Sequence, residues 1–463
     1  MPPTLRVVQA FDRAAFAELE TDDQQALERK LELAARTLRN RDGRLPAHER
    51  MALLHRAASL LEARQPQFAK LIAQEGGKPA KDAAVEVVRA IDGLRNAAEE
   101  LRNFAGREVP MGLTPASDGR WAFTTREPIG VVAALSAFNH PLNLIVHQVA
   151  PAIAVGCPVI VKPAPATPLS CVRLVALLRE AGLSECWCQT LITADNALAE
   201  RLATDPRVAF LSFIGSARVG WYLRTRIAPG TRCALEHGGA APVIVDRSAN
   251  LDRIIEPIVK GGYYHAGQVC VSVQRIFVHR SILAAFTERL ATRVLALHTG
   301  DSLLPETEVG PLIHPRETER VESWIEEARA AGARMIGGGR YSETTLLPSV
   351  LVEPTADAKV SQLEIFGPVT CVYGFDELDR AIEAANALPF AFQASVFSND
   401  IGPALRVAQR VDASTVLIND HTAFRTDWMP FAGRHQSGYG TGGIPASMKD
   451  MSQEKMIVLR QEL

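Results

Sequence analysis

Short apolar runs alternating with helical stretches constrain this chain more than any other feature. "VVAAL" (131–135), "PVIV" (158–161), "VAFLSF" (208–213) and "APVIV" (241–245) are each too short for a buried helix. They read as strands covered on both faces. Helical stretches such as "SCVRLVALLREAGL" (170–183) lie between them. That β-α-β order calls for a parallel sheet with helices on either side. A second series follows: "RIFVH", "SILAAFTERLATRVLAL", "PVTCVYGF", "DRAIEAANAL" and "ASVFS". Two α/β units in tandem are the simplest account, and 463 residues suffice for two or three cores. The first hundred residues read as helices. Leu53, Leu54, Ala57, Leu60 and Leu61 share one helical stripe, with Gly76 and Gly77 as a stop. "RWAFTTREP" (120–128) alternates like a strand, and the chain closes on a strand-like tail suited to an outlying hairpin or another subunit.

The balance of residues excludes several function classes. Hydrophobic residues make up 47% and charged residues 22%, ordinary for a globular protein. Fifty basic against 52 acidic residues leave a net charge of −2, so nothing points to nucleic acid or an anionic membrane. The most apolar region, "LNLIVHQVAPAIAVGCPVIV", is interrupted by His147, Gln148 and two prolines, which argues against a membrane span. The opening residues lack an uninterrupted apolar core and read as non-secretory. Seven scattered cysteines then suggest reduced thiols in a cytoplasm, not a disulfide framework. Cys186 and Cys188 are the only close pair, with no second pair of ligands nearby, so no metal site is expected.

Polar residues cluster at the strand ends, where open parallel sheets gather ligands. Asn139 follows the first strand, Lys162 the second, Gly215 and Ser216 the third, and Glu236 the turn before the fourth. Each feature alone is ordinary: Asn-His-Pro is usually a turn and a lysine before proline a surface lysine. Four at consecutive strand ends are harder to ascribe to chance. "GQVC" then places Cys270 behind small and polar residues; a lone cysteine is usually a small apolar filler, so its neighbours decide its role.

With "FNHP", "VKPA", "FIGS", "EHGG", "GQVC", "EIFGP" and "PFAGRHQSG" in this order, the chain resembles the aldehyde dehydrogenase superfamily over nearly its whole length. The resemblance implies an α/β, aldehyde dehydrogenase-like fold: a Rossmann-like cofactor domain (1–108 and 126–237), a catalytic domain (238–432), and a small β oligomerisation element (109–125 and 433–463). It implies Cys270 as the nucleophile, Asn139 as an oxyanion donor and Glu236 as the base for thioester hydrolysis. NAD or NADP would be held by Lys162, Gly215, Ser216, Gly220, Glu364 and Phe366. The product would be a free acid, since relatives that acylate coenzyme A generally lack a glutamate at this position. The partner would be a small-molecule aldehyde, and the assembly a homodimer or homotetramer. A coenzyme A-acylating enzyme, or a catalytically retired homologue with a structural or binding role, stand as alternatives.

The departures from the family pattern are informative. Pro165 stands where many members carry a glutamate for the adenosine ribose, which leaves room for the 2′-phosphate of NADP. His237 replaces a commoner leucine, and His265 a frequent asparagine. By resemblance His140, His147, Arg425 and Trp428 line the aldehyde tunnel. A plain alkyl substrate would want apolar walls, because a buried unpaired guanidinium costs several kcal/mol. These residues therefore suggest a small aldehyde with an anionic far end. Pairing of Arg425 with Asp420 or Asp427 at the rim is the competing expectation.

Overall fold

The computed structural model describes residues 4–460. Residues 1–3 and 461–463, part of the expected first and last segments, lie outside the described residues.

Two parallel sheets dominate. The first has six strands in the order Gly438–Tyr439, Arg232–Glu236, Val208–Ile214, Val131–Leu135, Val159–Lys162, Cys188–Thr190. All its pairs are parallel except the one made by Gly438–Tyr439, so five carboxyl ends emerge along one edge. The second has seven strands in the order Arg334–Gly337, Ser349–Val352, Val369–Phe375, Val273–His279, Ala241–Val245, Gln393–Phe397, Thr415–Ile418. Only its first pair is antiparallel.

The apolar 142–161 region is a core element. Every residue of the helix Asn143–Val155 is buried, and Gly156 closes it in the left-handed conformation at φ 86°. Among the described residues no helix is long and apolar enough to cross a membrane.

Three expectations need correction. Residues 4–20 are an antiparallel hairpin, Thr4–Val8 against Ala15–Glu20, although the first hundred residues read as helical. The stretch 46–77 is two helices, Ala47–Ala63 and Gln65–Gly76, broken at Arg64. Pro66 lies in the first turn of the second; it has no N–H to donate and disfavours helix in the residue before it. The segment 433–463 is not one outlying element. Arg434–His435 pairs with Phe390–Ala391, Gly438–Tyr439 pairs with the strand ending at Glu236, and the helix Ile444–Asp450 packs on Asn143–Val155. Only Ser452–Arg460 forms the outlying sheet, paired along Arg120–Pro128 from Ser452↔Pro128 to Arg460↔Arg120.

Candidate active site

Cys270 sits at the seam between the two sheets. Its loop follows the helix Leu251–Tyr263 and turns through three consecutive left-handed residues, His265, Ala266 and Gly267. A Cβ at Gly267 would collide with the carbonyl of Gly367, so only glycine fits there. Gln268 locks the turn. Its amide donates to the carbonyls of His265 (3.3 Å) and Pro311 (3.2 Å), and its oxygen accepts from the Ile313 N–H (3.0 Å). Cys270 then packs, partly exposed, with Val269, Val271, Phe392, Phe431 and Tyr264.

The first sheet brings its residues to this loop. Asn139, four residues beyond the strand Val131–Leu135 and 5% exposed, donates from Nδ2 to the Gln268 carbonyl at 2.9 Å. Glu236 ends its own strand, and its side chain lies against Gly442, where a Cβ would strike the carboxylate. Glu364 accepts from the Gly239 N–H at 3.1 Å, and a Cβ at Gly238 would overlap it. Burial, with the Glu364 and Glu236 charges behind it, pushes the Cys270 thiol up to about 12. Burial raises the Glu236 carboxyl, opposed by Arg425, and raises Glu364 to about 7. The cysteine end of the site is therefore acidic in composition and reluctant to ionise.

The opposite end is basic. Arg425 lies with its guanidinium carbon 3.6 Å from the centre of the Phe431 ring, on the cluster that packs Cys270. Among the described residues no carboxylate comes within ion-pair distance of it, and its Nε has no partner. Asp427, one expected partner, is committed elsewhere. It accepts from Arg89 (2.7 and 3.2 Å), Asn143 (3.0 Å) and His147 (2.7 Å). Asp420, the other, makes its 3.9 Å contact with His421. Since a carboxylate only accepts, His147 Nε2 carries the proton and Nδ1 accepts from Arg425 Nη2 at 3.3 Å. Burial and the Arg425 charge lower His147 to about 4, keeping it neutral. At Asp427 burial works against the charge, but His147 and Arg89 outweigh it and hold the carboxyl far below its usual range.

Two of the four residues expected in the tunnel are placed differently. His147 is 5% exposed, with both nitrogens committed, and braces Arg425 from behind. Trp428 is 54% exposed and stands outward. His140 is partly exposed next to Asn139, its ring edge-on to Tyr264 and His265. Arg89 and Tyr264 were not foreseen. Arg89 comes from the helix Ala80–Glu100, far along the chain from Asp427, and its amphipathic pattern gave no signal.

The cofactor residues suit a dinucleotide. The helix Ala217–Arg224 begins at Ser216, exposed and making no side-chain cap bond, so its first N–H groups stay available to an anion. Gly215 donates its N–H to the Glu236 carbonyl at 3.0 Å, and a Cβ there would crowd Phe213. A Cβ at Gly220 would collide with His237 Nε2. His237 is held by Nδ1 donating to the Gln436 carbonyl (2.9 Å) and packs edge-on to Trp221 and Phe213. That accounts for histidine in place of leucine: it fills the space under the helix and ties it to residue 436. Phe366, at φ 51°, stands edge-on to Phe138 at 5.9 Å, on the turn that carries Asn139. Burial lowers Lys162 to about 8, and among the described residues no carboxylate acts on it.

Comparison with known proteins agrees over the whole chain. The profile described as "Aldehyde dehydrogenase family" matches residues 2–457. The 3-sulfolactaldehyde dehydrogenase of Priestia aryabhattai is 36% identical over 98% of this chain and 94% of its own. Among solved structures, aldehyde dehydrogenase 21 from Physcomitrella patens in complex with the reaction product succinate superposes with a TM-score of 0.96. It shares 31% identity over 99% of this chain and 95% of its own. Glyceraldehyde-3-phosphate dehydrogenase from Methanocaldococcus jannaschii complexed with NADP gives 0.93, with 31% identity over 98% and 99%.

Proposed function

The chain belongs to the aldehyde dehydrogenase family, and on that premise we propose that it oxidises a small aldehyde with an anionic far end. The product is the free acid, and NAD or NADP takes the hydride. Cys270 Sγ adds to the aldehyde carbon as the thiol proton passes to solvent at this partly exposed position, and the resulting oxyanion is stabilised by the Asn139 side-chain amide. A dinucleotide, when bound, would supply the hydride acceptor; loss of hydride leaves the acyl group on Cys270 Sγ as a thioester. Glu236 takes a proton from the water that hydrolyses this thioester. Burial raises its pKa, which makes the ionised carboxylate a stronger base. Its presence also favours water over coenzyme A as the acyl acceptor. Ser216 and Gly215 would receive the pyrophosphate, with Gly220 letting the helix approach, Lys162 would hold the adenosine ribose, and Glu364 and Phe366 the nicotinamide end.

The observation that carries the substrate reading is Arg425. It is a guanidinium beside the cysteine cluster, with no carboxylate in ion-pair reach among the described residues and a neutral histidine behind it. Such a group asks for an anion, because burying it unpaired costs several kcal/mol. The relatives named for 3-sulfolactaldehyde and glyceraldehyde-3-phosphate agree with that chemistry. For the cofactor, Pro165 and the absence of a carboxylate acting on Lys162 favour acceptance of NADP. A homodimer or homotetramer in the cytoplasm completes the reading, supported by Trp121, Met456 and Val458 exposed on the outlying sheet.

The test is the absorbance of reduced cofactor with short aldehydes that do or do not bear a terminal carboxylate, sulfonate or phosphate. It is run with NAD and NADP, with and without coenzyme A. A clear preference for the acidic aldehydes, independent of coenzyme A, is expected. Equal rates on both kinds would overturn the substrate reading.

A further inference from the structure

The helix Ala80–Glu100 carries a buried acid, Glu86, that no step above uses. Its Oε1 accepts from the N–H groups of Leu142 (2.9 Å) and Asn143 (3.1 Å), where the helix Asn143–Val155 begins. Leu142, at the N-cap, has no side chain to do this, so an acid from another helix takes the place of a cap. Glu86 Oε2 is ion-paired with Lys78, which is just as deeply buried. Only His140 and Pro141 separate the capped residues from Asn139. Pro141 has a fixed φ and no N–H, so the link between them is short and stiff. Holding the helix start therefore holds the Asn139 backbone.

The same pair reaches the Asn139 side chain by a second route. Lys78 follows Gly77, left-handed at φ 70°, where a Cβ would strike the ring of Pro311. The Pro311 carbonyl accepts from Gln268 Nε2 at 3.2 Å, and the Gln268 carbonyl accepts from Asn139 Nδ2 at 2.9 Å. Both ends of Asn139 are thus fastened to one element, the turn 77–78 and the acid it pairs with.

We propose that Lys78 and Glu86 are positioning residues for the oxyanion donor: the buried pair sets where the second N–H of the Asn139 amide points. A side-chain amide carries two hydrogens in one plane. One is spent on the Gln268 carbonyl, so the direction of the other is decided by how the residue is held at its two ends. A carboxylate suits the task, since it accepts two N–H bonds at the positive end of a helix. Lys78 is what makes that carboxylate tolerable, because a buried acid without a partner is strongly destabilising. The inference rests on the reading of Asn139 as the oxyanion donor.

The experiment is a mutant cycle read by single turnover, with enzyme in excess over propanal and both NAD and NADP saturating. The rate constant for reduced cofactor reports the steps up to the thioester. Lys78→Met/Glu86→Leu removes both charges, so neither is left buried alone, and removes the acceptor as well. The rate constant should fall by about tenfold, a part of the hundred- to thousandfold that loss of the donor itself costs. With Asn139→Ala already present, the same two changes should cost nothing further. Lys78→Met/Glu86→Gln, whose amide oxygen still accepts from the helix, should restore most of the rate. A native rate in Lys78→Met/Glu86→Leu overturns the proposal. So does an equal loss in both backgrounds, or a loss that the glutamine leaves unrepaired. Should Lys78→Met/Glu86→Leu fail to fold, Glu86→Asp takes its place in the cycle, since it keeps the charge but withdraws the oxygen from the helix. A native rate in Asn139→Ala would overturn the oxyanion reading itself, whereas additive losses overturn only the positioning role, so the two failures are told apart.

Discussion

The cysteine side and the guanidinium side of the site solve opposite electrostatic problems with different parts of the chain. At the cysteine end two carboxylates surround a thiol, and every group there is pushed towards its neutral form. At the guanidinium end Arg89, Asp427 and Arg425 carry charge, with neutral His147 wedged between the last two. The first end is built from strand ends and glycine-lined turns, whose positions the backbone fixes. The second is built from two helices, Ala80–Glu100 and Asn143–Val155, and the loop 419–431, which must find one another across the fold. On the proposed reading, chemistry belongs to the sheet ends and recognition to the helices and loop. Altering the first should stop turnover, and altering the second should change which aldehyde is turned over.

The largest effect tests the cysteine end. Cys270→Ala should lower aldehyde oxidation by at least about four powers of ten, since no thioester can form. Glu236→Gln should keep a first burst of reduced cofactor while steady turnover falls by about a hundredfold or more. Rapid-mixing absorbance separates the two. Ordinary turnover by Cys270→Ala would overturn the covalent mechanism.

Legibility in the sequence follows the same division. Asn139, Lys162, Ser216 and Glu236 could be found because short strands buried on both faces announce their own ends. Cys270 was legible through its motif. Arg89 was not, because it looks like any charged residue on an amphipathic helix and meets Asp427 only in the folded chain. Asp427 was read as a rim partner of Arg425, whereas the fold gives it to Arg89, Asn143 and His147. Tyr264 was hidden beside Tyr263, since only burial distinguishes the two. The hairpin 4–20 was missed because its exposed, charged strands lack the double-sided burial that betrays the sheet strands.

A smaller effect belongs to the guanidinium end. Arg425→Leu should lower kcat/KM for an aldehyde with a terminal sulfonate or carboxylate by about ten- to a hundredfold, the worth of a charge-assisted hydrogen bond. The uncharged analogue should lose far less. Parallel titrations on native and variant enzyme read this, and an equal loss on both substrates would place Arg425 in the chemistry instead of in recognition. Smaller again is a substitution remote from both ends. Pro165→Glu should shift the NAD over NADP preference towards NAD by up to about tenfold, because a carboxylate near the adenosine ribose repels a 2′-phosphate. Aldehyde preference should stay fixed while cofactor preference moves.

The smallest effect asks whether the two ends are electrically separate at all. Glu236 must be ionised to take a proton from water, so hydrolysis fails as pH falls through its pKa. Burial raises that pKa, and the Arg425 charge is what opposes the rise. With Arg425→Leu burial acts unopposed, the carboxylate is lost at a higher pH, and the acid limb of kcat should move upward. Arg425→Lys, which keeps a positive charge, should move it less. Propanal is the substrate to use, since it has no anion whose own binding would shift the profile. An acid limb that stays put in Arg425→Leu while the anion preference disappears would mean that solvent screens the guanidinium from Glu236. Arg425 would then bear on recognition alone. A limb that moves would mean that the charge selecting the substrate also sets the pH at which its thioester is hydrolysed.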